Sequence, residues 1–244
     1  MEWRAEGTVI GRRPHGEHAV ILDVLTREHG RHAGLVPGGA SPRQAALTQL
    51  GSRLMLHWRG RAEDALGHFT IEPLASRAGL MADATTLVGL QSVCALLMRA
   101  LPERDPHPLL ALMTESLLDA MASQGVQGWA TAYLHFEMLL LDEVGLGLDL
   151  TACALTGARE GLAYVSPRTG RAVTVAAVAG DAQLRARLLP LPAVLGGAGP
   201  GGLVEGLALT GHFLHARLAE AHDGRPLPAA RDRLVARLIA TAPR

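Results

Sequence analysis

The hydrophobic period changes once along this chain, and that change limits the possible folds more than any other feature. Before residue 75 the apolar residues alternate or cluster in short runs. Beyond residue 80 they return every three to four positions. Trp3 to Arg13 and His18 to Arg27 are rich in Val, Ile, Leu and Thr, with Pro14-His15-Gly16-Glu17 between them as a hairpin turn. A third strand fits His32 to Val36, after the turn signal His29-Gly30. Pro37 to Arg43 is a loop by composition. Ser52 to Trp58 alternates: Leu54, Leu56 and Trp58 share one face, and Met55, His57 and Arg59 the other. Leu66 to Glu72 completes a set of five short strands, which predicts a small closed barrel. The pattern accommodates both an OB-fold and a small SH3-like barrel.

The second half reads as helices. Leu80 to Leu101 carries Leu87, Leu90, Val93, Cys94, Leu97 and Leu101 on one stripe and stops at Pro102. Pro108 to Met121 repeats the spacing. Ala130 to Val144 does so again and ends at Gly145 and Gly147. Residues 146–180 read as irregular and turn-rich. Val204 to Ala221 and Ala229 to Ala240 return to helical spacing, separated by Asp223-Gly224-Arg225-Pro226. The expected organisation is an α+β fold, β first and then all-α: a barrel domain over 1–79 and a helical domain over 80–244, with an irregular insert at about 146–180.

Composition excludes several classes. Apolar residues make up 48% and the formal net charge is zero, so a disordered chain is ruled out. Two Cys cannot build a disulfide framework or a four-cysteine zinc site. Met1 to Glu6 has no basic start leading into an apolar run, so no signal peptide is expected. Leu188 to Val204 is uncharged but broken by Pro190, Pro192, Pro200 and five Gly, so no membrane span is expected. A cytoplasmic protein is expected. The 23 basic residues are all Arg, balanced by 23 acidic ones. Residues 1–79 carry 10 Arg against 8 acidic residues, a net of +2, and residues 80–244 carry 13 against 15, a net of −2. The sign places any polyanion contact on the barrel.

The candidate chemistry is phosphate binding. Arg12, Arg13, Arg27, Arg31, Arg43, Arg59 and Arg61 cluster near the expected turns, and a guanidinium grips phosphate bidentately. Gly16, Gly30, Gly38 and Gly39 shape those turns. The same arginines also read as ordinary solvated turn residues. Base stacking has thin support, since the barrel offers only Trp3, Trp58 and Phe69, and Trp58 shares its face with Leu54 and Leu56 as a core residue would. Any nucleic-acid binding is therefore expected to be electrostatic and salt-dependent. Cys153-Ala154-Leu155-Thr156 outlines half a zinc knuckle, but Thr is a poor ligand and no second pair follows. The pairs His15/His18 and His212/His215 lack further ligands at matching spacing. Gly196 to Gly202 reads as a connector and not as a nucleotide loop. Glu137, Asp142 and Glu143 lie on or beside one helix with no partner carboxylate evident. No nucleophile-elbow, phosphate-loop or zinc-protease motif is present, so a non-enzymatic protein without cofactor or metal is expected.

These residues carry a family resemblance. Gly11-Arg12-Arg13-Pro14-His15-Gly16-Glu17, Leu25-Thr26-Arg27-Glu28-His29-Gly30-Arg31-His32, Pro37-Gly38-Gly39-Ala40-Ser41 and Trp58-Arg59-Gly60-Arg61 resemble segments of the N-terminal barrel of the bacterial recombination mediator family RecO. Leu101 to Pro108, Phe136-Glu137, Gly145 to Leu150 followed by Cys153, Tyr164 to Val173 and Leu209 to Leu214 are similar to its helical half. The resemblance implies an N-terminal OB-fold and a C-terminal helical domain. It implies a DNA repair and recombination mediator that binds single- and double-stranded DNA and anneals complementary strands. It also implies partnership with RecR, contact with the tail of single-stranded DNA-binding protein, and a functional link to RecA and RecF. Some members hold zinc with four cysteines after the third helix. The matching positions here are Cys153, Thr156, Val173 and Ala176, so this loop is expected to be zinc-free and held by packing of Tyr164 and Val165. The alternative reading is an adaptor that binds RecR and single-stranded DNA-binding protein and has little DNA contact of its own.

Overall fold

The computed structural model describes residues 1–62, 64–81, 83–221 and 226–241. The expected turn at Asp223 to Arg225 lies outside the described residues. Five strands build the first half: β1 (Glu2–His15), β2 (Ala19–Thr26), β3 (Gly30–Val36), then a short helix α1 (Pro42–Leu47), β4 (Arg53–Arg59) and β5 (His68–Ala75). They close into a barrel in the order β1-β2-β3-β5-β4. All neighbours are antiparallel except β3 and β5, which meet at Leu35 and His68. A helix between the third and fourth strands of such a barrel is the OB-fold arrangement, which decides between the two barrels compatible with the pattern. The helix α1 begins at the end of the Pro37 to Arg43 loop and continues through residues to which the pattern assigns no element.

The long β1 serves two neighbours. Residues Glu2–Thr8 pair with β4 and Gly7–His15 with β2, and a register shift between Val9 and Gly11 bends the strand from one to the other. Val9, Val20, Leu22, Val24, Val36, Leu54, Leu56, Trp58 and Phe69 fill the interior. Period-2 alternation then turns Ile21, Asp23 and Leu25 outward, yet these are buried too. Two helices cover them. The first, α2 (Ala84–Ala100), is capped by Asp83, whose carboxylate accepts from the Thr86 amide at 2.7 Å. The second, α3 (Pro108–Ser123), starts on a proline, where no amide partner is needed. α2 packs on β1 and α3 on β2. This first compact unit comprises Met1–Trp129 with Pro228–Leu234.

The second unit comprises Ala130–Leu227 with Val235–Arg244. Further along the chain come α4 (Val126–Glu143), β6 (Leu162–Val165), β7 (Ala172–Thr174), α5 (Ala182–Ala186), β8 (Leu189–Pro190), α6 (Leu203–Ala221) and α7 (Ala229–Thr241). The segment expected to be irregular holds part of a small sheet, ordered β7-β6-β8. Strands of four, three and two residues are too short to show a period. Close packing of α4 and α6 depends on Gly206, where a Cβ would lie 2.5 Å from Leu134 Cδ2. Glu137 is buried and accepts a short hydrogen bond from the Thr210 hydroxyl, which accounts for a carboxylate inside this unit. The Gly196 to Gly202 run connects a 3-10 turn to α6, and the Gly202 amide donates to Glu205 Oε2 at 2.8 Å.

Candidate nucleic-acid interface

Five of the seven arginines divide between two ends of the barrel. At the hairpin end, Arg12 Nε donates to Thr48 Oγ1 at 3.2 Å and its Nη2 to the Gly39 carbonyl at 3.3 Å. Arg43 stands exposed on α1. The Ala40 amide donates to the His18 carbonyl at 3.2 Å, so the β1–β2 turn, the β3–α1 loop and α1 form one surface. Arg13 joins it, but its Nη1 is held at 2.7 Å by Asp23 Oδ2, whose side chain is only 2% exposed. Burial pushes the Asp23 carboxyl above its ordinary range, and the charges of Arg13 and Arg31 only partly oppose this.

At the opposite end, Arg59 and Arg61 line a cavity of about 610 Å³ with Met1, Glu2, Gly67 and His68. Arg59 Nη2 pairs with Glu2 at 2.9 Å. That contact, with its hydrogen bond, holds the Glu2 carboxyl below the usual range. The remaining two arginines do not join either surface. Arg27 Nη2 binds Glu115 of α3 at 3.0 Å. Arg31 is half-buried, with Glu103 at 3.8 Å and the Met98 sulfur at 3.8 Å. Among the described residues, Arg12, Arg43 and Arg61 thus have no carboxylate partner. They are the arginines best able to exchange water for phosphate, since the others must first give up an ion pair.

The outer face of β2 and of the middle of β1, buried under α3 and α2, offers no nucleic-acid surface. Contact to the barrel is left to its ends, its loops and the outer face of β4 and β5, where His57, Thr70 and Glu72 are exposed. The glycines fit that picture. Gly16, Gly30 and Gly38 sit at positive φ in the turns, whereas Gly39 does not.

An aromatic cluster not evident from the spacing adjoins the Arg59 end. Trp3 lies opposite Trp58 in the β1–β4 register. Its ring stacks on His29 (centroids 4.2 Å, 18° between planes) and lies 5.9 Å from Trp58. His32 meets Trp3 and Trp58 edge-on, both at 5.1 Å. Trp58 itself is a core residue, 2% exposed, and its Nε1 donates to the Leu66 carbonyl at 3.1 Å. Trp3, His29, His32, Trp58 and Arg104 line a second cavity of about 430 Å³, which shares Met1 and Glu2 with the first. His32 is 3% exposed, and neither ring nitrogen has a partner. Burial, then the Arg104 and His29 charges, push its pKa down to about 4, so the imidazole is neutral near pH 7. Arg104 has positive φ (63°), held by the hydrogen bond its backbone N–H donates to the Arg31 carbonyl at 2.8 Å and by Nη2 donating to the Asp64 and Ala65 carbonyls at 3.0 Å each.

The knuckle-like loop is built around Cys153. Its buried sulfur accepts from the Thr174 amide at 3.4 Å and the Thr174 hydroxyl at 3.6 Å. Burial raises the thiol pKa, but the hydrogen bonds from Thr156 and Thr174 outweigh it and bring the value down to about 6. Val165 is buried and Tyr164 half-buried nearby in sequence, on β6. The loop is held at its centre by a sulfur-centred hydrogen-bond hub. Among the described residues no group of three or more His, Cys, Asp or Glu side chains could hold a metal. None of the described helices is long and apolar enough to cross a membrane.

Comparison with known proteins covers almost the whole chain. The family description "Recombination protein O N terminal" matches residues 1–77, and "Recombination protein O C terminal" matches residues 81–226. A relative from Paracoccus denitrificans (strain Pd 1222), "DNA repair protein RecO", is 60% identical over 241 residues, which is 99% of this chain and 98% of the relative. Relatives with the same description from Cereibacter sphaeroides (strain ATCC 17029 / ATH 2.4.9) and Jannaschia sp. (strain CCS1) are 51% and 48% identical, each over 238 residues and 96% of this chain. They cover 97% and 95% of those relatives.

Proposed function

Since the chain belongs to the RecO family of DNA repair proteins, we propose that it is a non-enzymatic mediator of DNA repair and recombination that binds single- and double-stranded DNA through its barrel and anneals complementary strands. The observation that carries this reading is the 60% identity over nearly the full length to a DNA repair protein. The barrel, residues 1–79, is assigned the DNA, with Arg12, Arg43 and Arg61 as the leading phosphate contacts. Arg13, Arg27, Arg31 and Arg59 are placed behind them because each is engaged by a carboxylate. Annealing follows from charge: guanidiniums on two ends of one small barrel neutralise phosphates of two strands and lower their mutual repulsion. The helical region, residues 80–244, is assigned the protein partners that the family resemblance implies: RecR, the tail of single-stranded DNA-binding protein, and functional coupling to RecA and RecF. A cytoplasmic, nucleoid-associated location goes with that role.

The adaptor reading has one observation in its favour, the pairing of four of the seven candidate arginines with carboxylates. Annealing of complementary oligonucleotides, with and without single-stranded DNA-binding protein, separates the two. The Arg12→Glu/Arg43→Glu double variant is expected to slow annealing and weaken binding across all sequences alike. Absence of annealing by the wild-type chain, together with retained capture of RecR, would establish the adaptor.

A further inference from the structure

We propose that the Thr48 hydroxyl and the Gly39 carbonyl form a socket that positions Arg12 for a DNA phosphate. This rests on the DNA-binding reading given above and adds to it the groups that order one of its leading phosphate contacts. Helix α1 poses the question, because none of its six residues is buried, so it adds no side chain to the barrel core. The residue that ends it is different, since Thr48 is 0% exposed. A threonine hydroxyl has one hydrogen to give. Here it goes to the Gln44 carbonyl at 2.9 Å, which leaves the oxygen to accept from Arg12 Nε at 3.2 Å.

The other half of the socket depends on a glycine. Val20 and Val36 are paired across β2 and β3. A Cβ at position 39 would lie 2.5 Å from Val20 Cγ2 and 2.9 Å from the Val36 carbonyl, so only glycine lets the β3–α1 loop press this closely on the strands. Close approach, and not a positive φ, is what this glycine supplies. Its carbonyl then accepts from Arg12 Nη2 at 3.3 Å. Nε and one Nη2 hydrogen make up one edge of the planar guanidinium, and the socket takes both. The other edge, Nη1 with the second Nη2 hydrogen, keeps the bidentate geometry that suits a phosphate. Arg12 remains an exposed residue, so that edge can be reached. Its side chain is ordered in the folded protein, before DNA arrives, and binding is spared that entropy loss. Thr48 is a positioning residue: being fully buried, it acts on DNA only through Arg12.

The test measures binding of a labelled oligothymidylate to the full chain in one low-salt buffer. The variants are Thr48→Val, Thr48→Ser, Arg12→Ala and the Arg12→Ala/Thr48→Val double variant. Thr48→Val keeps the shape and removes the acceptor. It should weaken binding about threefold to tenfold, the cost of ordering one long side chain at an interface. Thr48→Ser keeps the hydroxyl and should bind like the wild type. In the Arg12→Ala background, Thr48→Val should cost nothing further, whereas damage to the fold would still show there. Thr48→Val binding as tightly as the wild type overturns the socket. So does a Thr48→Val loss that persists in full without Arg12, or one that Thr48→Ser reproduces. Failure of the wild-type chain to bind the oligothymidylate overturns the DNA-binding reading itself.

Discussion

At the scale of single residues, His32 is the position where environment changes chemistry most. Held neutral by burial beside Arg104 and His29, its pKa falls from 6.5 to about 4. The unfolded chain therefore binds a proton between these values that the folded chain refuses. The stability linked to His32 is fully present above pH 6.5 and is lost as pH falls towards 4. The loss is at most about 3 kcal/mol, at 1.36 kcal/mol per unit. Asp23, with its carboxyl raised by burial, works in the opposite direction at acid pH, so the comparison must be between variants. Chemical denaturation at pH 7.5 and pH 4.5 is expected to show a larger acid loss for the wild-type chain than for His32→Leu. Equal losses would mean that the imidazole is not held neutral. This residue gave no signal in the sequence, because its neighbours Trp3, Trp58 and Arg104 come from three distant segments. Cys153 is the opposite case. Its knuckle-like setting is readable from Cys153-Ala154-Leu155-Thr156, but the partner that completes the hub, Thr174, comes from β7, a strand of three residues.

At the scale of elements, the five barrel strands and the long helices are readable because each is long enough to repeat its period several times. β1 and β2 alternate with an amphipathic logic that α2 and α3 then modify by covering the second face. α1 escapes pattern reading because six residues beside a Pro/Gly run make less than two turns. The β4–β5 loop shows how a strand pair depends on one turn residue. Gly67 has φ +60°, and a Cβ there would lie 2.4 Å from Trp58 Nε1 and 2.8 Å from the Arg59 carbonyl. Gly38 has φ +69° with nothing within 4 Å. Gly38→Ala should therefore carry only the left-handed backbone cost of about 1–2 kcal/mol. Gly67→Ala should cost clearly more, because the indole and the loop that Trp58 pins through Leu66 must shift as well. Thermal unfolding of the two variants checks this. Equal destabilisation would show that the indole moves aside freely.

At the scale of the whole molecule, the formal charge of zero conceals how few cations are free. The sequence shows seven arginines at turns, and the clustering of five of them at two ends of the barrel is legible once the strands are placed. Their pairing is not, since Glu115 and Glu103 reach Arg27 and Arg31 from outside the barrel strands. The split decides what salt should do. Each phosphate contact to single-stranded DNA contributes about −0.7 to the slope of log K against log salt. Seven contacts would give a slope near −5, whereas Arg12, Arg43 and Arg61 alone would give about −2. Binding of a long single-stranded oligonucleotide measured from low to moderate salt should follow the shallower line. Glu2→Gln releases Arg59 from its 2.9 Å ion pair at the exposed barrel end, so that variant should bind more tightly and steepen the slope by about 0.7. A wild-type slope near −5 would mean that DNA displaces the carboxylates from Arg13, Arg27, Arg31 and Arg59. In that case the ion pairs are a resting state from which the barrel is recruited, and Glu2→Gln would raise affinity without changing the slope.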